Sequence, residues 1–170
     1  MSLSMSDVAL PAIRRTLTNL NEILVKAQAH CEAKKIDPNA LIQARLFPDM
    51  LPLPRQVQIA CDGAKFAVAR LGSAEAPKFE DNEVTFDQLR ERIAKTLAFV
   101  NSVAATSLDG TEAKVITIPM RDKSMEMPGQ SYLVNFVLPN LYFHVTTAYA
   151  ILRHNGVDIG KRDFLGDPAK

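Results

Sequence analysis

The stretch from Gln130 to Gly156, QSYLVNFVLPNLYFHVTTAYAILRHNG, constrains the fold more than any other part of the chain. It is the longest apolar run and holds two of the three histidines. Leu133, Val137, Leu141, Val145, Ala148 and Leu152 recur at steps of three and four, which puts them on one helix face. Phe136, Asn140, His144, Thr147 and Ile151 form an adjoining stripe. Apolar residues between the stripes predict a helix buried on most sides. The run is long enough to cross a bilayer, but Asn135, Asn140, His144 and the Thr146-Thr147 pair interrupt it, so it reads as the buried central helix of a globular bundle. Its end is marked by Asn155 as C-cap and Gly156 at the left-handed C′ position, with Leu152 and Val157 as the contact pair of a Schellman motif. Arg153 and His154 suit the negative end of the helix dipole. Pro139 falls mid-helix and predicts a bend that frees the carbonyl near Asn135.

A chain of 170 residues predicts one domain with a real core. Net charge is +1, which gives no electrostatic case for nucleic acid or an acidic membrane surface. Cys31 and Cys61 fall on apolar stripes and read as buried free thiols of a reduced cytoplasm. The N-terminal MSLSMSDVALP lacks the basic-then-apolar pattern of a signal peptide, so a cytoplasmic location is expected.

Three further long helices are predicted. The first covers about 8–35, with Ile13, Leu17, Leu20, Leu24, Ala27 and Cys31 as a bundle seam and His30 at its boundary. Asp37-Pro38 starts a short helix to about Leu46. The proline-rich, apolar stretch 47–54 is expected to pack over one end of the bundle, as a pocket lid or a dimer contact. The second long helix, about 54–71, carries the small-residue stripe Val57, Ala60, Cys61, Ala64, Ala67, Val68 and Leu71. Gln58 and Asp62 share the edge of that stripe, where a buried carboxylate needs a partner. Thr85 and Gln88 form a capping box for the third helix, with Val84 and Leu89 as its staple. That helix buries Phe86, Leu89, Ile93, Leu97, Val100 and Ala104, while Arg90, Glu91, Arg92 and Lys95 read as a solvated face. Residues 114–127 predict a short hairpin with a turn at Arg121-Asp122-Lys123, and Pro119 limits it to an edge. The tail, 157–170, lacks periodicity and reads as irregular, docked by Phe164 and Leu165. The pattern is all-α: a four-helix bundle whose long crossover between the third and fourth helices carries a β-hairpin.

The segments QVQIACDGAK, FEDNEVTFDQLRERIAKTLAFV, LPNLYFHVTTAYAILRHNGV and GKRDFLG resemble a bacterial family of unknown function within the DinB-like (YfiT-like) superfamily of putative metalloenzymes. The resemblance runs from about Ala9 to Gly166. It implies a DinB-like four-helix bundle, commonly a homodimer. It also implies a divalent metal, nickel or zinc, held in many members by one histidine of the second helix and an H-x-x-x-H pair of the fourth. Some members transfer low-molecular-weight thiols or isomerise maleylpyruvate adducts. In this chain His144 matches the second histidine of the pair, Asn140 stands four residues before it, and Gln58 or Asp62 occupies the second-helix region.

Three readings follow. In the first, His144 and Asp62 hold a metal, with Asn140 or Gln58 nearby, and the metal polarises a substrate or activates a water or thiol. In the second, no cofactor binds, and Asn140, His144, Asp62 and Gln58 are the polar groups of a small-molecule pocket between helices. In the third, His144 is a satisfied core histidine of an interaction dimer. No phosphate loop, G-x-S-x-G elbow, C-x-x-C pair or H-E-x-x-H motif is present. A nucleophile at Cys61 would need His144 as its base across the bundle.

Overall fold

The first helix, α1 (Met5–Lys34), starts where the Ser4 hydroxyl accepts the Asp7 amide and the Asp7 carboxylate accepts the Ser4 amide, each at 3.2 Å. With this reciprocal cap the helix begins three residues upstream of the expected start and runs on through Pro11. The structure is a computed structural model and describes residues 3–120 and 122–167. Every residue of the predicted α1 seam is buried. A short α2 (Pro38–Ile42) follows the Asp37 cap, and α3 (Leu53–Gly72) and α4 (Phe86–Ser102) are the next two long helices. The crossover carries a 3₁₀ turn (Ala105–Ser107) and an antiparallel hairpin of β1 (Val115–Pro119) and β2 (Ser124–Pro128), with Val115 opposite Pro128 and Pro119 opposite Ser124. Of the expected hairpin turn, Arg121 lies outside the described residues. The chain then runs without a break through α5 (Gly129–Ser131), a π-helical segment (Tyr132–Val137) and α6 (Leu138–His154).

α3 packs on α4 and α6, and α1 packs on the same two helices, so α1 and α3 occupy diagonal corners of the bundle. Their apolar faces merge into one core that also takes in Ile116 and Ile118 of the hairpin. The small stripe of α3 is fully buried at the centre of that packing. The end of α6 closes as its sequence predicts. The Val157 amide donates to Leu152 and the Gly156 amide to Arg153, with Gly156 at φ +90°, and Leu152 and Val157 are both buried. Lys114 reaches from the crossover to the last carbonyls of α3, 2.6 Å from Arg70 O and 2.8 Å from Leu71 O, a cation at the negative helix end. Gly129 is required by close approach: a Cβ there would strike the Thr111 carbonyl oxygen.

Four expectations are corrected. The tail is not wholly irregular: α7 (Lys161–Leu165) forms because the Asp163 carboxylate accepts the Gly160 amide at 2.7 Å. It docks on α1 through Lys26–Asp163 at 2.6 Å and the Asn19 amide to Phe164 O at 2.9 Å, and on α6 through packing of Phe164 on Tyr149. The stretch 47–54 does not cover the bundle end. Phe47 is 63% exposed and Leu51 is exposed, while Leu53 turns inward as the first residue of α3. Thr85 caps α4, but Gln88 accepts from the Val84 amide rather than closing the box, and Val84 remains exposed, so no staple forms. Ala104 lies past the end of α4 and is exposed. Among the described residues, no helix is long and apolar enough to cross a membrane.

Candidate ligand-binding site

The π-helical segment faces α3 and sets the geometry of the seam between them. Its backbone is one residue wider per turn than an α-helix, and the Leu138 amide donates to Leu133 O. The wide turn comes immediately before Pro139, whose missing N–H cannot serve the usual acceptor four residues back. Where the sequence predicts a bend at Pro139, the helix has a π-helical turn just before it. Tyr132, Phe136, Val137 and Asn140 form one wall of a cleft of about 190 Å³. The other wall is Ile59, Asp62, Gly63, Phe66 and Arg70 of α3, with Ile118 closing it from the hairpin. Asp62, Phe66 and Arg70 step by four along a single ridge of α3. At Gly63 the absent side chain lets Asn140 approach: a Cβ there would lie 3.5 Å from the Asn140 amide nitrogen.

Asp62 and Asn140 thus meet in one cleft. Asp62 is already paired, because Oδ1 accepts from Arg92 Nη2 and from Lys65 Nζ, both at 2.9 Å. Arg92 is 2% exposed, which corrects its assignment to a solvated face. Its Nη1 also reaches Glu83 at 3.0 Å, Asp81 at 3.2 Å and the Glu80 carbonyl at 3.1 Å. Gln58 belongs to the same network rather than to the cleft. It donates to Glu83 at 2.7 Å and accepts from Arg55 at 2.7 Å, and Arg55 pairs with Asp81. The three cations Arg55, Lys65 and Arg92 face the three carboxylates Asp62, Asp81 and Glu83. Phe79 lies under two of these cations, with Lys65 4.6 Å and Arg92 4.8 Å from its ring centre. The network binds the polar 73–85 connection to α3 and α4.

His144 is held elsewhere along the seam. Gln56 Nε2 donates to the Leu51 carbonyl at 2.9 Å, which turns its Oε1 to His144 Nδ1 at 2.8 Å. That acceptor assigns the imidazole proton to Nδ1 and leaves the lone pair on Nε2. Burial pushes the His144 pKa below its ordinary 6.5, so the ring is neutral at neutral pH. Gln56 stands six residues before Asp62, about 9 Å of helix rise. Among the described residues, no group of three His, Cys, Asp or Glu side chains is arranged to hold a metal ion. Cys61 is fully buried, and burial pushes its thiol up to about 12, so it is not a thiolate at neutral pH.

The sequence reasoning missed Gln56, Lys65, Arg70, Arg92 and Tyr132. A signal existed for Arg92: Leu89, Arg92, Ile93, Thr96 and Val100 keep helical spacing, and all five are buried. None existed for Gln56, whose role depends on the distant His144.

The model of a family described as Domain of unknown function (DUF1993) matches residues 5–165. The chain is also similar to a DinB family member protein from Shewanella denitrificans, whose crystal structure was determined at 1.83 Å. The two share 43% identity over 97% of this chain and 94% of that one, with a TM-score of 0.87. A search of curated proteins returned no match. The chain therefore belongs to the DUF1993 family, a DinB-like family of unknown function.

Proposed function

We propose that this protein is a small-molecule-binding module that works without a metal, and that its site is the cleft between α3 and the π-helical segment. The observation that carries this reading is the convergence of Asp62, Asn140, Arg70 and Tyr132 on a small, largely apolar cleft. Nickel or zinc on Asp62 and His144 does not suit this donor set. Two cations lie 2.9 Å from Asp62 Oδ1, where they repel a third. His144 carries its proton on Nδ1 toward Gln56, which leaves one imidazole nitrogen, and among the described residues no group of three His, Cys, Asp or Glu side chains is arranged to hold a metal. Neutral His144 and the Gln56 amide then position the chain between Leu51 and α6. The chain acts as a homodimer in this reading, with exposed Phe47, Leu51, Tyr142 and Phe143 as the apolar surface that a second copy covers. The free, buried Cys31 and Cys61 suit the bacterial cytoplasm.

Metal analysis tests the central claim. Untagged protein incubated with nickel and zinc, then desalted, is expected to retain far less than one metal per chain by mass spectrometry. Near-stoichiometric metal that disappears in His144→Ala would overturn the reading and restore the metalloenzyme one.

A further inference from the structure

We propose that the cleft selects a small organic anion of single-ring size, with its carboxylate held between the Arg70 guanidinium and the Tyr132 hydroxyl. This rests on the reading of the cleft as a ligand site and adds the charge, size and orientation of what enters it. The neighbouring cations are already committed: Lys65 and Arg92 to Asp62, and Arg55 to Asp81. None of the ion pairs among the described residues includes Arg70. Its Nη1 donates to Tyr132 Oη at 3.0 Å. Its planar group lies 4.8 Å from the centre of the Phe66 ring and 5.8 Å from that of Tyr132. The two ring contacts and the Tyr132 hydrogen bond hold the guanidinium at the cleft, and a held fork is the form in which arginine binds carboxylates two bonds at a time.

Tyr132 supplies the second donor. It is 1% exposed, and its oxygen accepts from Arg70, so its own proton has no acceptor among the described residues. Burial pushes its pKa up, which keeps that proton in place at neutral pH. A buried O–H without an acceptor is costly, and the half-buried Arg70 guanidinium has donors that no carboxylate among the described residues occupies. One carboxylate oxygen pair satisfies both.

Arg70 and Tyr132 fix the orientation. Asp62 stands eight residues before Arg70 on the same ridge, about 12 Å of helix rise away, and Lys65 and Arg92, which already hold its carboxylate, are not free to take a second one. The ligand's anionic head therefore points to Arg70 and its body lies against Phe66 and Phe136, toward Asn140. The cleft volume limits that body to one ring. At about 190 Å³ it is slightly larger than the engineered apolar cavities of about 150 Å³ that hold benzene.

The test compares three probes of one shape and different charge, benzoate, benzyl alcohol and benzylamine, by titration into ¹⁵N-labelled protein. Benzoate is expected to shift the amides of Gly63, Tyr132 and Phe136, with benzyl alcohol about ten-fold weaker and benzylamine weaker still. Arg70→Gln should weaken benzoate about ten- to hundred-fold, and Tyr132→Phe several-fold, with benzyl alcohol unchanged in both. Benzyl alcohol or benzylamine binding as tightly as benzoate would overturn the anion assignment while leaving the cleft reading standing. No probe shifting these amides would overturn both. Should Arg70→Gln not fold, the three probes on the unaltered protein still decide the question.

Discussion

Replacing Arg92 by alanine would leave Asp62, Asp81 and Glu83 facing one another without the guanidinium that separates them. Arg92 is almost wholly buried, but Asp62 keeps Lys65 and Asp81 keeps Arg55, so its loss is expected to cost about 1–3 kcal/mol in urea unfolding. A loss below about 1 kcal/mol would show the pairs to be screened by water. His144 gives the pH counterpart. Its folded pKa lies below the ordinary 6.5, so between the two values the unfolded chain binds the extra proton and the folded one does not. The stability advantage of the wild type over His144→Gln is therefore full above pH 6.5 and declines as pH falls through the lower folded value. An NMR titration of the His144 ring should have its midpoint below 6.5, and a midpoint at or above it would remove the argument. At this scale the sequence was legible wherever a residue's role followed from its own helix. The burial of Cys61 and the Gly156 cap were of that kind. The Gln56–His144 pair spans 88 residues of chain, and nothing in local spacing announces it.

Among the elements, the π-helical segment is the one whose loss would say most. Val134 is exposed, so deleting it removes one residue from the wide turn without emptying the core. The segment can then close as a regular α-helix, which keeps the flanking residues in phase but removes the wide turn that forms the cleft wall. Helical circular dichroism is expected to persist, while the urea midpoint falls and single-ring probes no longer shift the Gly63 amide. Retention of those shifts would mean that the wide turn does not shape the cleft. Pro139 made an irregularity predictable from sequence, but not its kind. A kink and a π-helical turn both relieve the same missing N–H, and packing against α3 decides between them. The short helix α7 escaped notice for a related reason: five residues are too few to show a period.

For the whole molecule, the four long helices and the hairpin were readable because each long helix carries its own stripe over several turns. The exposed side chains of Phe47 and Leu51 were not, since an apolar loop is equally compatible with covering a core and with facing a partner. Phe47→Asp together with Leu51→Asp is expected to convert a dimer to a monomer in light scattering with unchanged circular dichroism, and an unchanged mass would move the interface elsewhere. Leu53 is unsuitable for such a test, being part of the core. The docking of α7 on α1 bears on how the protein is made. Lys26 and Asn19 find Asp163 and Phe164 only after the segment beyond α6 has been synthesised, whereas α3, α4 and the loop between them can close on one another much earlier. During synthesis, then, α1 waits with its α7-facing side uncovered until residues 137 positions further on emerge, and their arrival is the event that lets the bundle latch.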